Sequence, residues 1–401
     1  MFVRPPPELI SRTIPLFLPL FLGVGAALAQ TPPESPGDPE LAARVAALEA
    51  ELATMKQQQQ QAAADDFMRE AEALAGSDPP PPPTATPPKN IMNPRITAFG
   101  DGFASVGSHN GSVDPRSGPW LRSLEFDVRE AVDPYANAVA IFALEQEDPL
   151  KSDPGTAGEF SVSPEEVYLD LVSLPRGFSA RVGKFRQPFG LVNRTHPHDL
   201  PWTGSPLVTV GILGDEGFND TGLTVDWRIP STKVGATFTG GVLSGQPWDP
   251  ASETATPGWL GRAELFKTFG NVDVALGGTG TGLRELAIGG ADLTLRWKPS
   301  QSRSVTLLAE GLANTDGAKG AYASLLLQPA RPVYFALRGD WFAPGTGPQG
   351  KELSAAVSYY TSEFLRVRAS LSAGDTGDLR GDLQFTFVWG SHPIEPYWVN
   401  K

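Results

Sequence analysis

The 401-residue sequence lacks cysteine and contains only four histidines and four methionines. Without cysteine it has no disulfide framework and no thiolate metal site. After residue 29 it also lacks an apolar run near the ~18 residues that a membrane-spanning helix requires. Positive charge is scarce, since 32 lysines and arginines stand against 45 acidic residues, and the net charge of −13 disfavours nucleic acid as a partner. A disulfide-stapled domain, a helical membrane protein and a nucleic-acid-binding protein are therefore poor descriptions of this chain.

The first 29 residues have the pattern of a secretory signal peptide. Arg4 and Arg12 supply the basic region, an apolar run covers 14–29, and Ala27-Leu28-Ala29 offers a small-x-small cleavage site. An uncleaved membrane anchor is the alternative, but the run is short and ends in small residues. We therefore expect residues 1–29 to be removed and the mature chain to be exported.

The next segment predicts a short stalk. Apolar residues in 30–77 follow the 4, 3, 4, 3 spacing of a coiled coil: Leu41, Val45, Leu48, Leu52 and Met55. Two heptads are marginal alone, so we expect a periplasmic helical coiled-coil segment that depends on association of the rest of the chain. The alternative is a frayed amphipathic helix in a tether. Residues 78–90 are proline-rich and predict an extended linker.

From residue 91 to 401 the sequence predicts an all-β fold, a transmembrane antiparallel β-barrel of about 16 strands. Segments of about ten residues alternate between apolar and polar side chains and are separated by turn residues. Tight connections follow even-numbered strands and longer ones follow most odd-numbered strands, which is typical of outer-membrane barrels with short periplasmic turns. The strands are predicted near 95–106, 120–131, 134–146, 159–174, 177–186, 220–229, 232–244, 258–269, 271–280, 288–298, 303–314, 318–328, 332–342, 351–361, 364–373 and 380–390.

Charged residues within these strands predict the inner surface. A charge facing lipid near the bilayer midplane costs ~2–4 kcal/mol, so the charged face of each strand is expected to face the lumen. Sixteen strands enclose too wide a space for side chains to fill, which indicates an aqueous channel. The predicted pore-lining residues are Arg181, Asp226, Arg228, Asp292, Arg296, Arg338, Asp340, Arg366 and Arg368. Tryptophans near strand ends are expected to form aromatic girdles at the membrane surfaces: Trp120, Trp227, Trp297, Trp341 and Trp389.

The longest connection, 187–219, has no clear period. Loops of this length inside compact domains are usually functional, so we expect it to fold into the lumen and narrow it. The predicted constriction residues are Arg194, His196, His198, Asp199, Asp215 and Glu216. Two histidines and a carboxylate could also bind zinc, but the sequence names no further ligand. Loop packing is the favoured interpretation, and neither a metal nor another cofactor is expected.

Two short segments carry a family resemblance. The stretch 181–191 (RVGKFRQPFGL) resembles the G-K-F-x-x-P-F-G stretch of the phosphate-selective porin O/P-like superfamily, and 165–170 (EEVYLD) is similar to the strand before it. The resemblance implies a periplasmic coiled coil followed by a sixteen-stranded trimeric barrel. Phosphate specificity is not carried over, because Lys184 and Lys233 are isolated rather than part of a lysine-rich constriction.

The functional hypothesis is an outer-membrane porin. It would be a homotrimer surrounded by outer-membrane lipid, with its stalk in the periplasm, and would pass small hydrophilic solutes or ions by diffusion. The alternative is a structural protein whose stalk tethers the outer membrane to the cell wall. Catalysis is not expected, because G-x-S-x-G does not occur and His109 and His392 fall at opposite ends of the predicted barrel.

Overall fold

A computed structural model of the protein describes residues 94–151, 159–172, 174–229, 234–246, 257–283 and 285–390. The predicted signal peptide over 1–29, helical segment over 30–77 and linker over 78–90 lie outside these residues. The described residues form one antiparallel sheet of 17 strands, of which Ser112–Val113 is a two-residue extension of the first hairpin. The remaining sixteen are numbered here β1 to β16.

The barrel strands are β1 (Arg95–His109), β2 (Gly118–Asp133), β3 (Ala136–Gln146), β4 (Phe160–Leu171), β5 (Phe178–Arg186), β6 (Asn219–Ile229), β7 (Gly235–Leu243), β8 (Gly258–Phe269), β9 (Val272–Leu283), β10 (Leu286–Ser300), β11 (Arg303–Asn314), β12 (Ala318–Ala330), β13 (Val333–Pro344), β14 (Gly350–Ser362), β15 (Leu365–Gly374) and β16 (Asp378–Trp389). Each strand pairs with its neighbours in sequence, and β1 also pairs with β16, which closes the barrel. The predicted fold class is confirmed.

The polarity of the barrel is inverted relative to a water-soluble protein. Along β16, Leu383, Phe385 and Phe387 point outward and are 39%, 41% and 40% exposed, whereas Gln384 and Thr386 between them are fully buried. Other strands repeat this alternation, with apolar residues outside and polar residues inside. No helix among the described residues is both long and apolar enough to cross a bilayer. The sequence alternation therefore corresponds to a lipid-type exterior and a polar lumen.

The predicted asymmetry of the connections holds for most of the hairpins. Only two residues follow each of β2, β8, β10, β12 and β14, while 187–218 separates β5 from β6. The connection predicted over 281–287 is wrong, because β9 and β10 stay paired up to Leu283 and Leu286 and leave two residues between them. Thr281 and Gly282 pair with Ile288 and Ala287 and so continue the ladder.

Most of the predicted girdle tryptophans lie on the outer surface. Trp227, Trp297 and Trp389 are exposed near strand ends. Trp120 is an exception, because its ring stacks on Phe103 at 4.9 Å on the lumen side of the wall. Its indole N–H also has a partner there, the buried hydroxyl of a neighbouring serine. Its position near a strand end was therefore not sufficient to assign its face.

The segment 187–218, called the lumen loop below, is more regular than the sequence predicted. It contains a 3-10 turn at Pro197–Asp199 and a two-turn helix α1 at Leu207–Leu213. The helix sequence, LVTVGIL, is rich in β-branched residues, which have low intrinsic helix propensity. Packing of α1 against β11, β12, β13 and β14 therefore stabilises a helix that local propensity does not favour.

Candidate functional site

The lumen loop has its own apolar core, which packs against one side of the barrel wall. Phe189, Val208 and Phe218 are completely buried and belong to one cluster with Leu308 of β11 and Leu326 of β12. Apolar residues inside an otherwise polar lumen need a partner that excludes water. Here the apolar side chains of the loop and those of the wall exclude water from each other. The loop is thus folded inside the barrel by hydrophobic burial.

Glycine permits the loop to begin close to the wall. Gly190 has φ +62°, and its N–H donates to Thr279 Oγ1 at 3.2 Å. The next N–H, of Leu191, donates to Glu310 Oε1 at 3.0 Å. A Cβ at Gly190 would lie only 1.8 Å from that same Glu310 oxygen. The Pro188-Phe189-Gly190 stretch that carried the family resemblance therefore anchors the start of the loop to β9 and β11.

A row of arginines from several strands holds the middle of the loop. Their guanidinium groups donate to main-chain carbonyl oxygens of 198–204, a segment with little regular structure of its own. The bonds run from Arg368 to Leu200 O (2.8 Å) and Trp202 O (2.7 Å), from Arg338 to Gly204 O (2.7 Å), from Arg122 to Thr203 O (2.7 Å), and from Arg366 to His198 O. Charge-assisted bonds of this kind are among the stronger ones in proteins. They supply the partners that irregular buried backbone requires.

Two histidines of the loop face glutamates of β2 and β4. His198 Nδ1 lies 3.0 Å from Glu125 Oε1. His196 Nδ1 lies 3.1 Å from Glu125 Oε2 and 3.0 Å from Glu165 Oε2. The two imidazole rings stack on each other with centroids 5.6 Å apart, and His198 also stacks on Phe99 at 4.6 Å. These four residues, Glu125, Glu165, His196 and His198, are called the histidine–glutamate cluster below.

The cluster favours positive charge on both rings. Burial opposes protonation of His196, but the charge of Glu125 and the contacts with Glu125 and Glu165 outweigh it, so the pKa of His196 is raised well above its ordinary value. Burial likewise opposes protonation of His198, yet the charges of Glu125 and Asp199 raise the pKa of that ring. A cation at this point of the loop is therefore stabilised by the barrel wall.

The six predicted constriction residues divide into two groups. His196, His198 and Asp199 come together at the barrel wall, with His198 Nε2 3.5 Å from Asp199 Oδ2. Arg194, Asp215 and Glu216 are exposed, and the Glu216 carboxylate lies within 4.8 Å of those of Glu145 and Glu165. The Glu216 carbonyl also accepts from Arg186, whose guanidinium bridges it to the end of β5.

The predicted pore-lining residues also fall into groups that make different contacts. Arg338, Arg366 and Arg368 hold the lumen loop, and Asp340 accepts from the N–H of Leu207 at 3.1 Å. Others pair along the wall, as Arg181 with Asp170 (2.6 Å) and Asp292 with Arg262 (2.6 Å). Asp226 accepts from Thr239, Arg296 is half-buried, and Arg228 is exposed near the end of β6. Opposite charges thus occur together around the lumen.

Two residues that strict alternation would turn outward face the lumen because of β-bulges. The pairing of β1 with β2 shifts between Asp101 and Gly102, which leaves Arg122 as an extra residue on β2. The pairing of β3 with β4 shifts between Ile141 and Phe142, and Glu165 is the extra residue there. A bulge re-aims a side chain that strict alternation would turn outward. Strict period-two reading therefore assigned neither residue to the lumen.

A cavity of about 260 Å³ lies toward the end of the barrel with the short turns. It is bounded by the start of β1 and the end of β2, and its lining includes Arg95, Asp127, Arg129 and Asp170. Both signs of charge are present in the lining, and Arg129 binds Asp127 at 2.6 Å. Polar space therefore continues beyond the lumen loop toward that end.

No family model matches the chain. A segment of 124 residues is 35% identical to an uncharacterized protein of Aquifex aeolicus (strain VF5), and it covers 31% of this chain but only 24% of that relative. The fold is similar to Pseudomonas putida OprB at high pH, with a TM-score of 0.51, 10% identity, and coverage of 74% of this chain and 94% of that one. At this identity the likeness shows the fold alone.

Two further solved structures cover 74% of this chain. One is the outer membrane channel DcaP of Acinetobacter baumannii, with a TM-score of 0.46, 10% identity and 96% of its own length covered. The other is an anion-selective porin from Comamonas acidovorans, with a TM-score of 0.48, 11% identity and 99% of its length covered.

Proposed function

We propose that the protein is an outer-membrane porin that passes small hydrophilic solutes or ions by passive diffusion. The observation that carries this proposal is a closed sixteen-stranded barrel with an apolar exterior, a charged lumen and a long loop folded inside it. A barrel of this size leaves space that strand side chains alone do not fill. The lumen loop then sets how much of that space remains for solutes.

The lumen loop narrows the passage and the charges beside it set its selectivity. Hydrophobic packing places α1 on the side of β11 to β14, while arginines and the histidine–glutamate cluster hold residues 196–204 between other parts of the wall. Solutes pass beside this loop and along the paired charges of the wall. Facing charges of opposite sign create a transverse field, which favours small polar solutes over apolar ones.

The protein works in the outer membrane as a homotrimer with its stalk in the periplasm. The apolar exterior of the barrel suits contact with lipid and with neighbouring copies. A short coiled coil over 30–77, which is marginal alone, would be supported by three associated barrels. The tethering function considered as the alternative depends on the same segment, which is outside the described residues.

Planar-bilayer recordings test the proposal. Full-length protein folded in detergent and added to a bilayer is expected to give stepwise increases in conductance, grouped in threes, and a reversal potential in a salt gradient that gives its charge preference. The same preparation after heat denaturation is the control. A folded preparation that inserts into the bilayer without any conductance contradicts the proposal.

A further inference from the structure

The histidine–glutamate cluster has the composition and spacing of a metal site. It offers two imidazole nitrogens and two carboxylates from three separate parts of the chain, and the ligand atoms of Glu125, His196 and His198 all lie within 4.8 Å of one another. Imidazole and carboxylate are the ligand types that suit Zn²⁺ in the absence of thiolates. Sequence alone could not show this, because Glu125 lies about seventy residues before the histidines.

The distances fit a single ion. Zn²⁺ binds nitrogen and carboxylate oxygen at about 2.0–2.2 Å, so two ligand atoms of a tetrahedral site lie about 3.4 Å apart. In the cluster, the separations from His196 Nδ1 to Glu125 and Glu165 and from His198 Nδ1 to Glu125 are 3.1, 3.0 and 3.0 Å. These three separations differ from that value by only a few tenths of an ångström.

Buried polar atoms that make no hydrogen bond also lie in the histidine–glutamate cluster. Glu165 is 4% exposed, and neither of its carboxylate oxygens makes a hydrogen bond among the described residues. The same is true of His196 Nδ1, although it lies within 3.1 Å of two carboxylates. Within the described ranges the Glu165 carboxylate is engaged only in ion pairs, with His196 and with Arg186 at 3.7 Å, and a shared metal ion would coordinate all three atoms at once.

The second nitrogen of each ring also faces a carboxylate. His198 Nε2 lies 3.5 Å from Asp199, and His196 Nε2 lies 3.8 Å from Glu166. In metal sites the ring nitrogen that does not bind the ion commonly contacts a carboxylate, which fixes the ring orientation. Stacking of His198 on Phe99 fixes that ring further. Nδ1 of both rings is therefore directed at Glu125, and that of His196 also at Glu165.

We propose that the histidine–glutamate cluster binds one divalent transition-metal ion of the Zn²⁺ class, with the Nδ1 atoms of both histidines and the carboxylates of Glu125 and Glu165 as ligands. The ion joins residues 196–198 of the lumen loop to β2 and β4, whereas α1 packs against β11 to β14. It displaces the ring protons, so binding releases protons and weakens as pH falls. The bound ion holds the loop against the barrel wall. Binding of the ion is independent of whether the barrel conducts solutes.

The first test is binding of Zn²⁺ to the full-length protein in detergent. After EDTA treatment and dialysis, titration at pH 7.5 by calorimetry is expected to give one saturable site per chain, with an apparent enthalpy that changes between buffers of different ionisation enthalpy. Elemental analysis after desalting should give the same stoichiometry. Failure of the folded wild-type protein to bind Zn²⁺ in a saturable way overturns the proposal, whatever its conductance.

Single-residue variants test which side chains bind the ion. His196→Gln and Glu125→Gln each remove a ligand and are expected to weaken Zn²⁺ binding by more than 100-fold, which exceeds the about 10–100-fold typical of a supporting residue such as Asp199→Asn. The matched control is His109→Gln, whose ring lies in the first hairpin beside Asp378 and should leave binding unchanged. Wild-type affinity in His196→Gln overturns the assignment.

A spectroscopic measurement covers the case in which a variant does not fold. X-ray absorption of the Zn²⁺-loaded wild-type protein should show a first shell of nitrogen and oxygen with the outer-shell scattering of two imidazoles. A first shell without imidazole scattering overturns the proposal. Heat-dependent mobility in gels identifies which variants are folded barrels and can be used for affinity comparison.

Discussion

Replacing Arg368 with methionine is expected to release the centre of the lumen loop. Arg368 is 1% exposed, and its guanidinium donates to Leu200 O at 2.8 Å and to Trp202 O at 2.7 Å. Methionine fills a similar volume but has no donor, so two buried carbonyl groups of the loop lose their partner. The barrel strands are held by their own ladders and should remain folded.

The magnitude follows from these two bonds. A hydrogen bond to a charged group contributes about 1.5–3 kcal/mol, and part of that is offset because burial of the guanidinium is itself costly. A net loss of about 2–3 kcal/mol in loop docking is therefore expected for Arg368→Met, which corresponds to a roughly 30- to 150-fold larger population of the undocked loop. Arg368→Lys retains the charge but lacks the planar fork that reaches both carbonyls, and it should fall between wild type and Arg368→Met.

Limited proteolysis measures this population directly. Arg194 is the only lysine or arginine between 187 and 219, so trypsin has one cleavage site in the loop, and mass spectrometry identifies its fragments. When opening and closing are fast relative to cleavage, the rate follows the population of the open form. Cleavage after Arg194 should accelerate in Arg368→Met by the same factor.

Arg303→Met is the matched control, because Arg303 is exposed at the start of β11. It loses the same charge without touching the loop and should be cleaved after Arg194 at the wild-type rate. If Arg368→Met is also cleaved at the wild-type rate while its barrel is folded, the bonds from Arg368 do not hold the loop and the reasoning is wrong.

The remaining predictions concern the start of the loop and the outer surface. Gly190→Ala places a Cβ against Glu310 and should accelerate tryptic cleavage of the loop at least tenfold. Gly204→Ala is the control, because no atom lies within 4 Å of the added Cβ, and its cleavage rate should stay at the wild-type value. Equal cleavage rates in the two variants would contradict the close approach of Gly190 to Glu310. Leu337→Arg puts a charge on the outer face near the middle of β13 and should lower the unfolding free energy in lipid vesicles by ~2–4 kcal/mol. Leu379→Arg, near the start of β16, should cost at most about 1 kcal/mol by the same titration, and equal losses at the two positions would contradict the assigned membrane depth.

The barrel was predictable from sequence because its signal is repeated sixteen times. Period-two alternation, turn residues and the spacing of connections all depend on local sequence, and each strand gives the same information again. The inward direction of Arg366 and Arg368 followed from this alternation alone. Errors arose where local pattern is insufficient, as in the glycine-rich ends of β9 and β10, which continue to pair up to Leu283 and Leu286.

The candidate site was predictable only in part, because it is assembled by distant contacts. The length of the loop and its histidines were visible, but their partners Glu125 and Glu165 come from β2 and β4. A β-bulge turns Glu165 inward, and no local pattern marked that bulge. Helix α1 was also missed, since its β-branched residues disfavour a helix until the barrel wall packs against it.

The central claim is that the lumen loop narrows a water-filled barrel, and single-channel conductance of a loop-shortened protein tests it most directly. Arg186 and Asn219 are paired partners at the ends of β5 and β6, so replacing 187–218 with a two-residue Asn-Gly turn should close this hairpin without disturbing the register. Each conductance step is expected to become several times larger than in the wild-type protein, and selectivity between small ions is expected to decrease. A correctly folded shortened barrel with the wild-type conductance, or with none, would contradict the account.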